Sequence, residues 1–260
     1  MDSCNGSTSR SDPGAMVRKL FQTAYIYLWI LLSTFVLGSL VIGRALVGAD
    51  QEALHRIAQR WGRSILRVSG VEVRVVGQEH LASGRSFILM PNHQSHFDIP
   101  VLLGCLDTQF RWLAKAELFK IPIFGRAMHG CGYISIDRSN REAAFASIRQ
   151  AAEAIRGRAS VLIFPEGTRS PDGRLLPFKK GGFVLAVDSK VPILPIGIYG
   201  TGDILPKKHL LLAPRPVVLW IGAPIETTGY RRETKDALMD EVRQALCEAV
   251  TRASEGRLEC

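Results

Sequence analysis

The segment Met-Pro-Asn-His-Gln-Ser-His-Phe-Asp, residues 90 to 98, follows an apolar run and sets a histidine and a carboxylate five positions apart. A loop at that spacing can fold Asp98 against one imidazole nitrogen of His93 and leave the other nitrogen as an acceptor. That is a base with its orienter, the last two members of a catalytic triad, with no enzyme nucleophile beside them. The attacking hydroxyl would then belong to a substrate, with His93 taking its proton. The competing reading is an N-cap at Asp98, where aspartate is common, and an incidental surface histidine. Ser95 and His96 are rival candidates in the same loop.

A second segment, Leu-Ile-Phe-Pro-Glu-Gly-Thr-Arg-Ser at 162 to 170, also ends an apolar run. Glu166, Thr168 and Arg169 around Gly167 bring backbone N–H groups and a guanidinium into one turn, which suits a phosphate. Lys179-Lys180-Gly181-Gly182 then opens a helix, adding positive charge and free N–H groups. Gly-Tyr-Ile-Ser-Ile-Asp-Arg, 132 to 138, ends a strand in an acid–base pair, and Val-Pro-Ile-Leu-Pro-Ile, 191 to 196, reads as a buried strand with prolines at its mouth. The sequence has no Gly-x-Ser-x-Gly elbow, no Gly-x-x-x-x-Gly-Lys loop and no His-Glu-x-x-His. Hydrolase, nucleotide-binding and metalloprotease readings therefore lose their sequence support. The five cysteines are scattered with no Cys-x-x-Cys, so neither a disulfide framework nor a structural metal is expected.

These loops need rigid elements behind them. From residue 71 onward, short β-branched runs recur at 71–76, 87–90, 110–114, 133–136, 161–164, 193–199 and 217–221. Helical patterns at 99–106, 142–156 and 234–253 lie between or after them. The alternation predicts an α/β fold, a mixed, mostly parallel sheet flanked by helices.

Before residue 71 the texture differs. Residues 1 to 15 are polar and read as a disordered tail. Residues 24 to 43 are 20 positions without a charge, reaching about 30 Å as a helix, the thickness of a bilayer's hydrocarbon core. Arg18 and Lys19 precede the run and Arg44 follows it, with Tyr25, Tyr27 and Trp29 at one end as interfacial aromatics. A cleaved signal peptide would be shorter and end in small residues, and a buried core helix is the other alternative. Residues 50 to 69 are amphipathic: Leu54, Ile57, Ala58, Trp61, Ile65 and Val68 share one face, and Arg56, Arg60, Arg63 and Arg67 form a stripe away from it. This helix either lies on an anionic bilayer or covers a domain core with its arginines in solvent. The chain thus divides into a tail (1–15), N-terminal membrane-anchoring helices (16–70) and a catalytic domain (71–260). The net charge of +9 implies an anionic partner, and with no nucleic-acid signature present that partner is not expected to be nucleic acid. The 47% hydrophobic and 22% charged composition excludes a disordered chain or a polytopic transporter.

Taken in order, Asn92-His93-x-x-x-x-Asp98, Gly132-x-Ile134-x-Ile136-Asp137-Arg138, Phe164-Pro165-Glu166-Gly167-Thr168-Arg169-Ser170 and Val191-Pro192-Ile193-x-Pro195 resemble the four motifs of the glycerolipid acyltransferases. The resemblance is closest to the 1-acylglycerol-3-phosphate acyltransferase family and covers about residues 70 to 225. Leu113-Ala114-Lys115-x-Glu117-Leu118 looks like the family's segment between its first two motifs. The resemblance implies transfer of a fatty acyl chain from acyl-CoA or acyl-carrier protein to the sn-2 hydroxyl of lysophosphatidic acid, giving phosphatidic acid. It implies His93 as general base, Asp98 as its orienter, and Glu166, Gly167, Thr168 and Arg169 around the glycerol-phosphate head, with Arg138 and Lys115 as further phosphate contacts. No metal and no cofactor beyond the donor substrate is implied. The expected setting is membrane lipid, with the catalytic domain on the cytoplasmic side. Other acceptors, such as glycerol-3-phosphate or another lysophospholipid, would keep the same motifs.

Overall fold

The structure, a computed structural model, describes residues 13–81, 84–137 and 140–258. The expected polar tail lies outside the described residues except at its end, where Pro13 opens the first helix. Proline suits that position, because its missing N–H would have no partner in a first turn anyway.

The helices of the described residues are α1 (Pro13–Leu46), α2 (Gln51–Ser69), α3 (Asp98–Cys105), α4 (Phe124–Gly130), α5 (Arg141–Arg156), α6 (Gly181–Ser189), α7 (Thr201–Ile204) and α8 (Lys235–Ala253). The strands are β1 (Val73–Val76), β2 (Ile88–Pro91), β3 (Phe110–Lys115), β4 (Ile134–Ile136), β5 (Ser160–Leu162), β6 (Ile193–Tyr199) and β7 (Val217–Ile221). Among the described residues they form one seven-stranded sheet in the order β1-β7-β6-β2-β5-β3-β4. Every neighbouring pair is parallel except β6 with β7. Both faces of the sheet are covered. Leu54, Ile65, Leu102 and Phe110 belong to the cluster under α1, α2 and α3, and Ile155, Phe183 and Val242 to the cluster under α5, α6 and α8. A strand buried on both sides needs no polar alternation, and the whole of β2 is accordingly buried.

The register of the parallel strands decides where the motifs meet. Ile88 of β2 pairs with Val161 of β5, and Trp112 of β3 pairs with Leu162. The loops leaving β2 and β5 therefore emerge side by side at one edge, with the end of β3 beside them, the edge where open α/β sheets bind ligands. Residues 191 to 195 lead into the opposite end of β6, which starts level with β2. They contribute to the sheet and not to this edge.

The N-terminal helices form an antiparallel pair tied by Trp29 Nε1 donating to Ser64 Oγ (3.2 Å) and Trp61 Nε1 to Thr34 Oγ1 (3.0 Å). Asp50 caps α2 by accepting from the Ala53 amide at 2.7 Å. Of the two readings of α2, the structure takes the domain-core one. Leu54, Ile57, Ile65 and Leu66 are buried, and α2 meets α3 so closely that a Cβ on Gly62 would lie 2.9 Å from the Leu103 Cβ and one on Gly104 2.9 Å from the Leu66 Cδ1. Arg56, Arg60, Arg63 and Arg67 stay exposed. Helix α1 is long and apolar enough to cross a membrane by length and composition. One of its faces packs on the domain through Ile26 and Val41, and Phe21, Leu28, Leu32 and Val36 on the other are exposed. Among the described cysteines, Cys105 and Cys131 are free thiols.

Candidate active site

The loop after β2 begins at Asn92, whose side chain is spent on the neighbouring strand: Nδ2 donates to Ile198 O (3.0 Å) and Oδ1 accepts from Ile198 N (2.7 Å). With the loop pinned there, His93 Nδ1 comes 2.7 Å from Asp98 Oδ2. The same oxygen accepts from the amides of Gln94 (2.9 Å) and Ser95 (3.0 Å). Asp98 is 0% exposed. It opens α3, and the position before it, Phe97, makes no side-chain cap bond. The carboxylate therefore reaches backward to the loop and the imidazole instead of capping its own helix, which sets aside the N-cap reading. With Nδ1 engaged by the carboxylate, Nε2 is the ring nitrogen left open to a substrate. The His93 side chain is 15% exposed, and its ring lies flat on Phe164, with centroids 3.8 Å apart.

The rivals in the loop are otherwise engaged. Ser95 is buried, donating to Leu205 O (2.9 Å) and accepting from Phe97 N (3.1 Å). His96 is exposed and forms no pair with Asp98. Partial desolvation of its ring by the surrounding protein, then the nearby Arg169 charge, holds its pKa below the usual histidine value.

The loop after β5 turns at Gly167, where φ is +73°, a conformation glycine adopts without steric penalty. Glu166 is 1% exposed. Its Oε1 accepts from His93 N and its Oε2 from Leu176 N, both at 2.9 Å. The Ser170 amide returns a bond to His93 O at 2.7 Å. Glu166 thus stitches the two loops together, and both its oxygens are engaged away from any headgroup. Burial pushes its carboxyl up to about 7, against the lowering effect of the two amides. Thr168 is exposed and Arg169 half-buried. Lys207 fixes the backbone at Arg169, with Nζ donating to Arg169 O at 2.7 Å. Lys115, at the end of β3, is exposed and paired with Glu117 at 3.0 Å. Arg138 lies outside the described residues.

His93, Lys115, Gly167, Thr168 and Arg169 border one cavity of about 550 Å³ that runs under α1, α2 and α4. His96 and Thr34 also line it, and most of the remaining wall is apolar, including Leu37, Val41, Ile57, Trp112 and Met128. The site thus sets an oriented imidazole and a guanidinium on one largely apolar cavity. Sequence reasoning named His93, Asp98 and the 166–169 turn. It missed Phe164 as the support of the imidazole and Asn92 as the pin, although both stand inside the motifs. Lys207 carried no local signal at all.

The stretch of α/β sheet that carries the oriented histidine, residues 72–199, matches the Acyltransferase family description. The chain is 36% identical over 202 residues to a chloroplastic 1-acyl-sn-glycerol-3-phosphate acyltransferase of Brassica napus, covering 77% of this chain and 57% of the relative. The enzyme of the same name from Cocos nucifera is 35% identical over 173 residues, covering 66% and 56%. The crystal structure of the 1-acyl-sn-glycerophosphate (LPA) acyltransferase PlsC from Thermotoga maritima superposes with a TM-score of 0.79 at 30% identity, covering 94% of this chain and 99% of that one. The chain belongs to the 1-acyl-sn-glycerol-3-phosphate acyltransferase family. It spans little more than half the length of these two plant relatives.

Proposed function

We propose that this protein transfers a fatty acyl group from an acyl thioester, acyl-CoA or acyl-carrier protein, to the sn-2 hydroxyl of lysophosphatidic acid, giving phosphatidic acid. The observation that carries this reading is the His93–Asp98 pair at 2.7 Å facing an apolar cavity with Arg169 at its mouth. His93 Nε2 takes the proton of the acceptor hydroxyl as that oxygen attacks the thioester carbonyl. Asp98 stabilises the imidazolium and keeps its orientation. When the tetrahedral intermediate collapses, the C–S bond breaks and the leaving thiolate recovers the proton from His93, so that the ester and a free thiol are the products. No acyl-enzyme is required, consistent with Ser95 being buried and bonded elsewhere.

Arg169 and Thr168, with the Gly167 backbone, hold the phosphate, and Lys115 adds charge at the same cavity. Glu166 serves the site by positioning His93 and does not touch the lipid. The 550 Å³ cavity houses the donor's acyl chain. The outer face of α1 seats the protein in the membrane with the catalytic domain on the cytoplasmic side, where acceptor and product reside. The protein, purified in detergent and given oleoyl-CoA with lysophosphatidic acid, glycerol-3-phosphate or lysophosphatidylcholine, should acylate lysophosphatidic acid fastest. Preference for another acceptor by tenfold would reassign the substrate while keeping the chemistry, and turnover of none would remove it.

A further inference from the structure

A second apolar hollow, of about 670 Å³, also borders the Trp61–Thr34 contact. Tyr27, Ile30 and Phe35 of α1 form one wall, and Ile121, Pro122 and Leu212 belong to the others. It shares His96, Arg169, Trp61, Thr34, Ile99 and Phe124 with the cavity that contains His93. The two spaces therefore converge on the same cation and the same end of the catalytic loop. Lys208 and His209 also border the second hollow, and both are exposed.

The two spaces differ in what surrounds them. Val41, Ile57, Met128, Cys131 and Tyr133 around the first are buried, whereas the second combines buried Ile65, Phe97 and Leu212 with the exposed apolar residues Leu31, Phe35, Ile121 and Leu210. Leu31 and Phe35 continue the outer apolar face of α1. A chain delivered on a water-soluble thioester needs a space closed off from solvent. A chain that already lies in the bilayer needs a groove open toward it, with cations where its phosphate surfaces.

We infer that this second groove binds the resident acyl chain of the acceptor, the sn-1 chain of a lysophospholipid drawn sideways from the bilayer. Its phosphate is taken between Arg169 and the Lys208–His209 pair, so that the free hydroxyl lies at the junction where the two spaces meet. The donor chain and the acceptor chain thus approach His93 from different sides. This inference rests on the acyltransferase reading above and adds the acceptor's subsite to it.

The test is acceptor kinetics with the purified full chain in mixed micelles, using 1-oleoyl- and 1-hexanoyl-glycerol-3-phosphate with oleoyl-CoA. Ile30→Trp fills the groove from a half-buried position, Lys208→Gln with His209→Gln removes the surface ammonium and the imidazole N–H donor beside it, and Ala58→Leu fills the first cavity instead. Ile30→Trp should raise KM for the oleoyl acceptor by about tenfold, the effect of expelling roughly two methylenes. It should leave KM for the hexanoyl acceptor and for oleoyl-CoA within about twofold, since neither needs the blocked part of the groove. The double variant should raise KM for both acceptors alike, and Ala58→Leu should change only the donor's. A rise in the donor KM on Ile30→Trp would give the groove to the donor, and unchanged constants for that variant would leave it without a lipid; either result overturns the inference. Should the wild type acylate no lysophospholipid, the function itself falls, and this inference with it.

Discussion

The imidazole of His93 lies on the ring of Phe164 at a centroid distance of 3.8 Å and an interplanar angle of 14°. Phe164 in turn meets Trp112 at 5.6 Å, so the imidazole rests on a side chain that is itself packed against a ring of β3. Asp98 fixes one edge of the imidazole and Phe164 one face, leaving Nε2 as its unsupported corner. Phe164→Leu should lower kcat more than it changes either KM, because the pair that reacts would remain while its orientation loosens. Equal kcat in the variant would mean that Asp98 alone holds the ring.

Removing the His93 imidazole is the most direct check on the proposed chemistry. His93→Ala should lower turnover by about 10²–10⁴-fold, the usual worth of a general base, and Asp98→Asn should be nearly as severe because it disturbs the tautomer and strands two amides. His96→Ala should remain active. Circular dichroism and urea midpoints would establish that His93→Ala is folded, and retention of a tenth of the wild-type turnover would remove His93 from the role of base.

Arg169 borders both apolar spaces, so its loss should be felt on the acceptor side. Arg169→Ala should raise KM for lysophosphatidic acid more than for oleoyl-CoA, and Arg169→Lys should recover part of the difference because the planar fork is lost. An unchanged acceptor KM would assign the guanidinium to the donor.

Glu166 links stability to pH. Its carboxyl has an ordinary value of 4.5 and is raised to about 7 in the fold, chiefly by burial. Between these values the folded state holds more protons than the unfolded chain, so this group makes stability fall as pH rises from about 4.5 to about 7, with no further loss above. Glu166→Gln removes that dependence. It also turns an amide NH₂ toward a backbone N–H and should destabilise the protein by about 1–3 kcal/mol. Urea unfolding at pH 5 and pH 8 should show a larger decline for wild type than for the variant. Parallel declines would mean that Glu166 stays ionised throughout.

The N-terminal helices have two separable duties. Ile26, Val41, Leu54, Ile57, Ile65 and Leu66 belong to the same buried cluster as Leu102 and Phe110, so deletion of residues 1 to 70 should expose that core and cause aggregation. Leu28 and Leu32 are exposed on the outer face of α1. Leu28→Glu with Leu32→Glu should weaken co-sedimentation with vesicles while shifting the unfolding free energy by no more than about 0.5 kcal/mol, as exposed substitutions do. Wild-type sedimentation of this pair would show that the outer face is not the membrane contact.

The elements of this protein were legible in its sequence because their signals are local. Seven β-branched runs became the seven strands, and the apolar faces of residues 50–69 and 234–253 became α2 and α8. The catalytic loop was legible for the same reason, since His93 and Asp98 are close enough in the chain for one turn to join them. Tertiary structure alone decided where side chains point and which surfaces meet. The carboxylate of Asp98 could have capped α3, and only Asn92 pinned to Ile198 and Glu166 holding the His93 amide commit the loop to the other geometry. The apolar face of α2 fits a bilayer or a core equally well by pattern. Gly62 and Gly104 let α3 take it, a contact between residues 42 positions apart that no local spacing encodes. The two apolar spaces converging on Arg169 were likewise invisible in the sequence, because a cavity is bounded by residues from many segments and exists only once the sheet has brought them together.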